Sequence, residues 1–173
     1  MTLQLSEKLA LKPLLINDAP ALFRRIDANR LMLATYLYWV KDVVDELSCR
    51  RYINERANSE LPKRQWYGVY VNGEISGVFA IKSIDDNGCA ELGYWLSEHA
   101  HGHGVISRCV NYIATHRNDF GIKALEFHCL SKNIASISIA KKAGANYVST
   151  ITDYFELDGQ MQDLLVYRAE LAP

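Results

Sequence analysis

Two glycines one residue apart, Gly102 and Gly104, separate a stretch patterned as a strand from a stretch patterned as a helix. That junction constrains the chain more than any other segment. AELGYWL, 90–96, reads as a strand, and Val105 to about Asn118 repeats apolar residues at helical spacing. Glycine at 102 and 104 removes side chains where the chain turns, so several backbone N–H groups can face one point. Those amides are the ones a helix leaves unpaired at its start, and the helix dipole adds partial positive charge there. Such a junction suits a phosphate or pyrophosphate. Taken alone, Gly-x-Gly before a helix reads equally well as a tight turn. GxGxxG and GxxxxGK[ST] are both absent, which argues against a dinucleotide fold and a nucleotide hydrolase.

The rest of the chain alternates strand and helix patterns. LALKPL (9–14) reads as a strand, and Asp18 with Pro20 opens a helix to about Leu33. Asp42 opens a second helix toward Asn58. QWYGVYV (65–71), Asn72-Gly73 and ISGVFAIKSI (75–84) read as a hairpin, followed by a turn at 85–88. ALEFHCL (124–130) is a strand, Ile134 to Lys142 a short helix, and two long strands close the chain around Asp158-Gly159. The order is mixed α/β in 173 residues without a repeat or linker, which predicts one domain, 1–173.

Charge narrows the function classes. The net charge of −1 gives no electrostatic reason to bind bulk nucleic acid or an anionic membrane. No apolar run reaches membrane-spanning length and no signal-like segment opens the chain. Cys49, Cys89, Cys109 and Cys129 are scattered without a CxxC pair, so free thiols in the reducing cytoplasm are expected. His99, His101 and His103 alternate but lack carboxylate or cysteine partners nearby, so no metal is expected.

A second fragment, SKNIASISIAKKAGA, places Asn133 and Ser136 one helical turn apart and closes on Gly144. With GYWLSEHAHGHGVIS before it, LxxxLYWV at 33–40 and LDGQMQDLLVYRAEL after it, the sequence resembles the Gcn5-related N-acetyltransferases (GNAT) across nearly its whole length. Within them it is similar to the RimL/RimJ branch, which acetylates N-terminal amines of ribosomal proteins. The resemblance implies a mostly antiparallel mixed sheet flanked by helices, with strands splayed at a cofactor cleft. It implies acetyl-CoA as acyl donor and a homodimer. Leu96, His101, Gly102, His103, Gly104, Val105, Ile106, Asn133 and Ser136 are then the expected cofactor-binding residues. The family pattern there is Gln/Arg-x-x-Gly-x-Gly/Ala, and His101 departs from it at the first position. Imidazole can donate one hydrogen bond but lacks the charge and fork of arginine. Asn133 reads equally well as a helix cap.

The chemistry follows from the bond being made. Only a neutral amine has the lone pair to attack a thioester, and an α-amine of pKa about 8 is partly neutral at pH 7. The tetrahedral species needs backbone N–H donors, expected near Leu96. Glu91 is the candidate base, reaching the amine through a water; its alternative is an ion pair with a nearby Lys or Arg. Ser136 is the candidate acid beside the thiol, or simply a cap or cofactor contact. The tyrosine that many relatives use as acid falls on Ala140, and the RimL-like branch has a serine in its place. His128 shares a strand face with Glu126 and reads as a satisfied, partly buried histidine. Tyr36, Tyr38 and Trp39 are expected to grip the acceptor, with Trp39 the one most suited to the core. Tyr154, Phe155 and Asp163 stand as framing residues for the acceptor or a dimer contact. The expected reaction is direct acetyl transfer to the N-terminal α-amine of a protein. The alternatives are a polyamine or other small amine as acceptor, or a non-catalytic acyl-CoA-binding module.

Overall fold

The computed structural model describes residues 1–57 and 64–172. Among the described residues eight strands run in hydrogen-bonded order β1-β2-β3-β4-β5-β6-β8-β7. They are β1 (Leu3–Ser6), β2 (Leu9–Pro13), β3 (Gln65–Val71), β4 (Glu74–Ile84), β5 (Cys89–Leu96), β6 (Ala124–Leu130), β7 (Asn146–Leu157) and β8 (Gln160–Glu170). The helices are α1 (Ala19–Ala28), α2 (Arg30–Ala34), α3 (Glu46–Ala57), α4 (Val105–Thr115), α5 (Arg117–Phe120) and α6 (Ile134–Lys142). This is a mixed α/β fold with a mostly antiparallel sheet, as the GNAT resemblance implies. β5 and β6 pair in parallel. No helix among the described residues is long and apolar enough to cross a membrane.

The chain divides into two compact units, Met1–Ala80 with Tyr94–Val105, and Ile81–Gly93 with Ile106–Pro173. In the first, α1 buries Ala19, Leu22 and Ile26, one face of a helix, in a cluster with Cys49, Tyr52 and Ile53 of α3 and with Val78 and Trp95. The helix expected to reach Leu33 breaks at Asn29. Its side chain donates to the Arg25 carbonyl at 2.8 Å and accepts from the Glu98 amide at 2.8 Å, which holds its backbone outside helical geometry. The helix expected from Asp42 starts instead at Glu46, because Arg30 donates to the carbonyls of Val40 and Val43, both at 2.8 Å, and holds that segment apart. Asp45 is the cap: its carboxylate accepts from the Ser48 amide at 2.7 Å, and Ser48 Oγ accepts from the amides of Val44 and Asp45. Asn58, the expected end of that helix, lies outside the described residues.

One glycine in this unit is fixed by crowding. A Cβ on Gly77 of β4 would stand 2.1 Å from the Trp95 carbonyl oxygen and 2.9 Å from Leu96 Cα. No side chain fits where these two backbones meet.

In the second unit, α4 buries Ile106, Cys109, Val110 and Ile113 along one face. The helix expected to reach Asn118 stops at Thr115; His116 leaves helical geometry with its Nδ1 donating to the Tyr112 carbonyl at 2.9 Å. β6 and α6 have the bounds the sequence predicts. β7 and β8 form the closing hairpin, with Asp158 and Gly159 both at positive φ in the turn. β7 is irregular at Asp153, whose amide donates to Asp163 Oδ1 at 3.0 Å.

Candidate active site

The glycine junction belongs to the first unit. β5 ends at buried Trp95 and Leu96, and after buried Ser97 a single 3-10 turn, Glu98–Ala100, leads into the loop. Gly102 and Gly104 take φ of +78° and +64°, and a Cβ at either would meet nothing within 4 Å. They are therefore required by backbone conformation, the left-handed region, and not by crowding. Residues 101–104 are exposed, and helix α4 starts at buried Val105. Gly102, His103 and Gly104 form the exposed loop. They lie directly before the helix start, whose first amides have no partner within the helix. The side chain of His101 turns back: its Nε2 donates to the Leu96 carbonyl at 3.0 Å. The imidazole thus ties the loop to the end of β5, a role that the sequence pattern does not reveal.

In the second unit Asn133 is the N-cap of α6, its Oδ1 accepting from the Ser136 amide at 3.2 Å. Ser136 is half-buried with its Oγ 3.2 Å from the Cys129 thiol. The end of the helix is equally defined: Ala145 N donates to the Ala140 carbonyl and Gly144 N to that of Lys141, with Gly144 at φ +78°. Ala140, at the position of the tyrosine of many relatives, is fully buried.

Glu91 is tied by an ion pair to Lys82, whose chain crosses the space left open by Gly93. That is the alternative the sequence raised beside the base role. The pair is part of a longer array. His128 Nδ1 lies 3.6 Å from Glu91 Oε1, and its Nε2 donates to Glu126 Oε1 at 2.7 Å. Arg168 donates to the other Glu126 oxygen at 2.6 and 3.2 Å. Strand register produces this: Glu91 is paired with Glu126, and Glu126 with Arg168. Burial pushes the Glu126 carboxyl up, but the hydrogen bonds from Arg168 and His128 outweigh it and hold the group below the usual carboxylate range.

Of the aromatic residues expected at the acceptor, Trp39 is core. It is buried, with its ring 4.4 Å from that of Tyr52 and 6.0 Å from that of Trp95. Tyr38 is exposed and Tyr36 half-buried. Trp95 Nε1 donates to the Tyr52 hydroxyl at 3.3 Å, and the Arg56 guanidinium lies 4.0 Å above the Tyr52 ring. Tyr154 is exposed and Phe155 half-buried.

Among the described residues no group of three or more His, Cys, Asp or Glu side chains is arranged to hold a metal ion. His99 faces Ser76 Oγ at 3.2 Å. All four cysteines are free thiols, three buried and Cys89 half-buried.

The mixed sheet, the glycine loop at a helix start and the capped α6 are features consistent with the acyltransferase class that the sequence resembles. The model of the acetyltransferase (GNAT) domain matches residues 8–146, and the chain belongs to that family. The ribosomal-protein-serine acetyltransferase of Escherichia coli K12 is 28% identical over 148 residues, covering 83% of this chain and 82% of that protein. Among solved structures, RimL, a ribosomal L7/L12 α-N-protein acetyltransferase in complex with coenzyme A, superposes with a TM-score of 0.88 at 21% identity. That match covers 99% of this chain and 98% of RimL. The microcin C7 self-immunity acetyltransferase MccE, in complex with acetyl-CoA and AMP, superposes with a TM-score of 0.87 at 20% identity. It covers 96% of this chain and 94% of MccE. At these identities the structural likeness concerns the fold.

Proposed function

We propose that this chain is an acetyl-CoA-dependent N-acetyltransferase whose acceptor is the N-terminal α-amine of a protein. The observation that carries the reading is the family match across 8–146, which includes the left-handed Gly102/Gly104 loop at the start of α4. The match runs through both compact units, in keeping with one acetyltransferase domain over 1–173. In this reading the amides of His101 to Ile106 hold the pyrophosphate of the acyl donor. The Leu96 amide stabilises the oxyanion, Asn133 and Ser136 contact the pantetheine arm, and Ser136 protonates the leaving thiolate. Glu91 takes the amine proton, directly or through a water. Tyr36 and Tyr38 contact the acceptor, while Trp39 supports them from the core. The relatives named for ribosomal proteins and L7/L12 favour a protein terminus over a polyamine. The four free thiols agree with a cytoplasmic setting. A homodimer completes the reading: β7 is the last strand of the sheet and exposes Tyr147, Val148, Ile151 and Tyr154, an apolar edge that a second copy would cover.

The test is release of free coenzyme A from acetyl-CoA with peptides bearing free or blocked N-termini, polyamines and amino sugars. Turnover that requires the free terminus is expected. Turnover on polyamines alone would overturn the acceptor assignment. Tight acetyl-CoA binding without turnover on any acceptor would favour the binding module.

A further inference from the structure

We propose that His128, held between Glu91 and Glu126, is the relay that carries the acceptor's proton away from Glu91. The inference rests on the acetyltransferase reading and on Glu91 as its base. It adds a residue that the sequence pattern assigns only to structure.

The geometry is that of an oriented imidazole. His128 Nε2 donates to Glu126 Oε1 at 2.7 Å, and Arg168 clamps the opposite oxygen of that carboxylate at 2.6 Å. With the proton on Nε2, Nδ1 carries the lone pair, and Nδ1 is the atom 3.6 Å from Glu91 Oε1. The two atoms lie within ion-pair distance of one another. Among the described residues, the charged and titratable groups around His128 include Lys82 from β4, Cys89 and Glu91 from β5, Glu126 from β6 itself and Arg168 and Glu170 from β8, with Asp85 beside Cys89. Helix α6 meets β6 from the other side, through Ser136 and Cys129, since neighbouring strand residues point to opposite faces. The side chains of Glu91, Glu126 and His128 retain 22, 18 and 28% exposure, enough for a proton to leave to water from a site otherwise fixed by hydrogen bonds.

The chemical argument is one of matching. The same Glu91 oxygen, Oε1, faces both the Lys82 ammonium and His128 Nδ1. An imidazole, with an ordinary pKa of about 6.5, is better matched to a reaction near neutral pH than a carboxylate near 4.3. In the step, the amine nitrogen's lone pair forms the C–N bond, the C–S bond breaks, and sulfur leaves as thiolate with the bonding pair. The proton lost by nitrogen passes to Glu91 and on to His128 Nδ1, giving an imidazolium between two carboxylates. The imidazolium then returns that proton to water. No oxidant or further reactant is needed.

The experiment is the pH profile of kcat/KM for wild type and His128→Asn on the best free-N-terminus peptide, with acetyl-CoA saturating. The expected result is a fall of about 10²–10³ at pH 7 with KM for acetyl-CoA unchanged, loss of the acidic limb, and partial rescue by added imidazole. A His128→Asn enzyme within about twofold of wild type, with the same acidic limb, overturns the relay and leaves the acetyltransferase reading standing. A wild type inert on every acceptor sinks that reading, and the relay with it. Should His128→Asn not fold, His128→Gln takes its place with the same readouts and the same overturning result.

Discussion

Gly77→Ala should damage both stability and catalysis, and the structure sets the scale. The new Cβ would lie 2.1 Å from the Trp95 carbonyl oxygen and 2.9 Å from Leu96 Cα, against an ordinary contact distance starting at 3.4 Å. Relieving the oxygen contact requires β4 and β5 to separate by about 1.3 Å at that point, in a core with native packing density. The obstacle is backbone, so no rotamer change relieves it. The cost belongs near the top of the overpacking range, about 3 kcal/mol. For a chain of this length that lowers Tm by roughly 6–12 °C. The same movement displaces the Leu96 amide assigned to the oxyanion, and a misplacement of about 1 Å costs on the order of 10² in rate. Thermal unfolding by circular dichroism and coenzyme A release read the two effects separately. A Gly77→Ala protein melting within about 2 °C of wild type would refute the close approach of the two strands.

Other expectations follow from the same contacts. Asn133→Ala removes the cap of α6 and should cost about 1 kcal/mol in urea unfolding, with Asn133→Asp largely sparing it. Arg168→Gln should destabilise most near neutral pH. The folded Glu126 titrates below its unfolded value of about 4.3, so its stabilisation is complete above that pH and is lost as pH falls through the folded value. Melting curves from pH 7 to pH 3 should therefore bring the variant and wild type together at the acid end. Burial raises the Cys49 and Cys109 thiols to about 12 and the half-buried Cys89 to about 11. Limited alkylation followed by peptide mass spectrometry should label Cys89 before Cys49, Cys109 or Cys129.

Where local chemistry decides the structure, the sequence shows it. Asn72-Gly73 and Asp158-Gly159 mark their hairpins because few other residue pairs adopt positive φ at both turn positions. Asn133 and Gly144 bracket α6 for the same kind of reason. Failures occurred where a distant partner overrides a local signal. Asp42 has the chemistry of a helix cap, yet Arg30 holds Val40 and Val43 and passes the role to Asp45. Asn29 divides a continuous helical pattern because Glu98 binds its side chain. The short β1 was missed, since its four residues gain a strand's identity only by pairing with β2. In the candidate site, Glu91 is singled out by its place on the strand before the glycine loop and Ser136 by its spacing to Asn133 and the family resemblance, but the Lys82–Glu91–His128–Glu126–Arg168 array joins four strands and has no sequence signature. His101 likewise gave no hint that its ring would close on Leu96.

The parallel pairing of β5 with β6 has a consequence for how the protein is made. Antiparallel neighbours such as β3–β4 and β7–β8 close through two-residue turns and can form within microseconds of emerging. A parallel neighbour requires a crossover, here the whole segment from Leu96 through the glycine loop, α4 and α5 to Ala124. Closing it is one of the slow, non-local events of this topology, beside the β2–β3 and β6–β8 pairings. During synthesis the glycine loop therefore leaves the ribosome before the strand that completes its crossover. A nascent chain ending before Ala124 has the loop's sequence without the β6 partner that closes its connection.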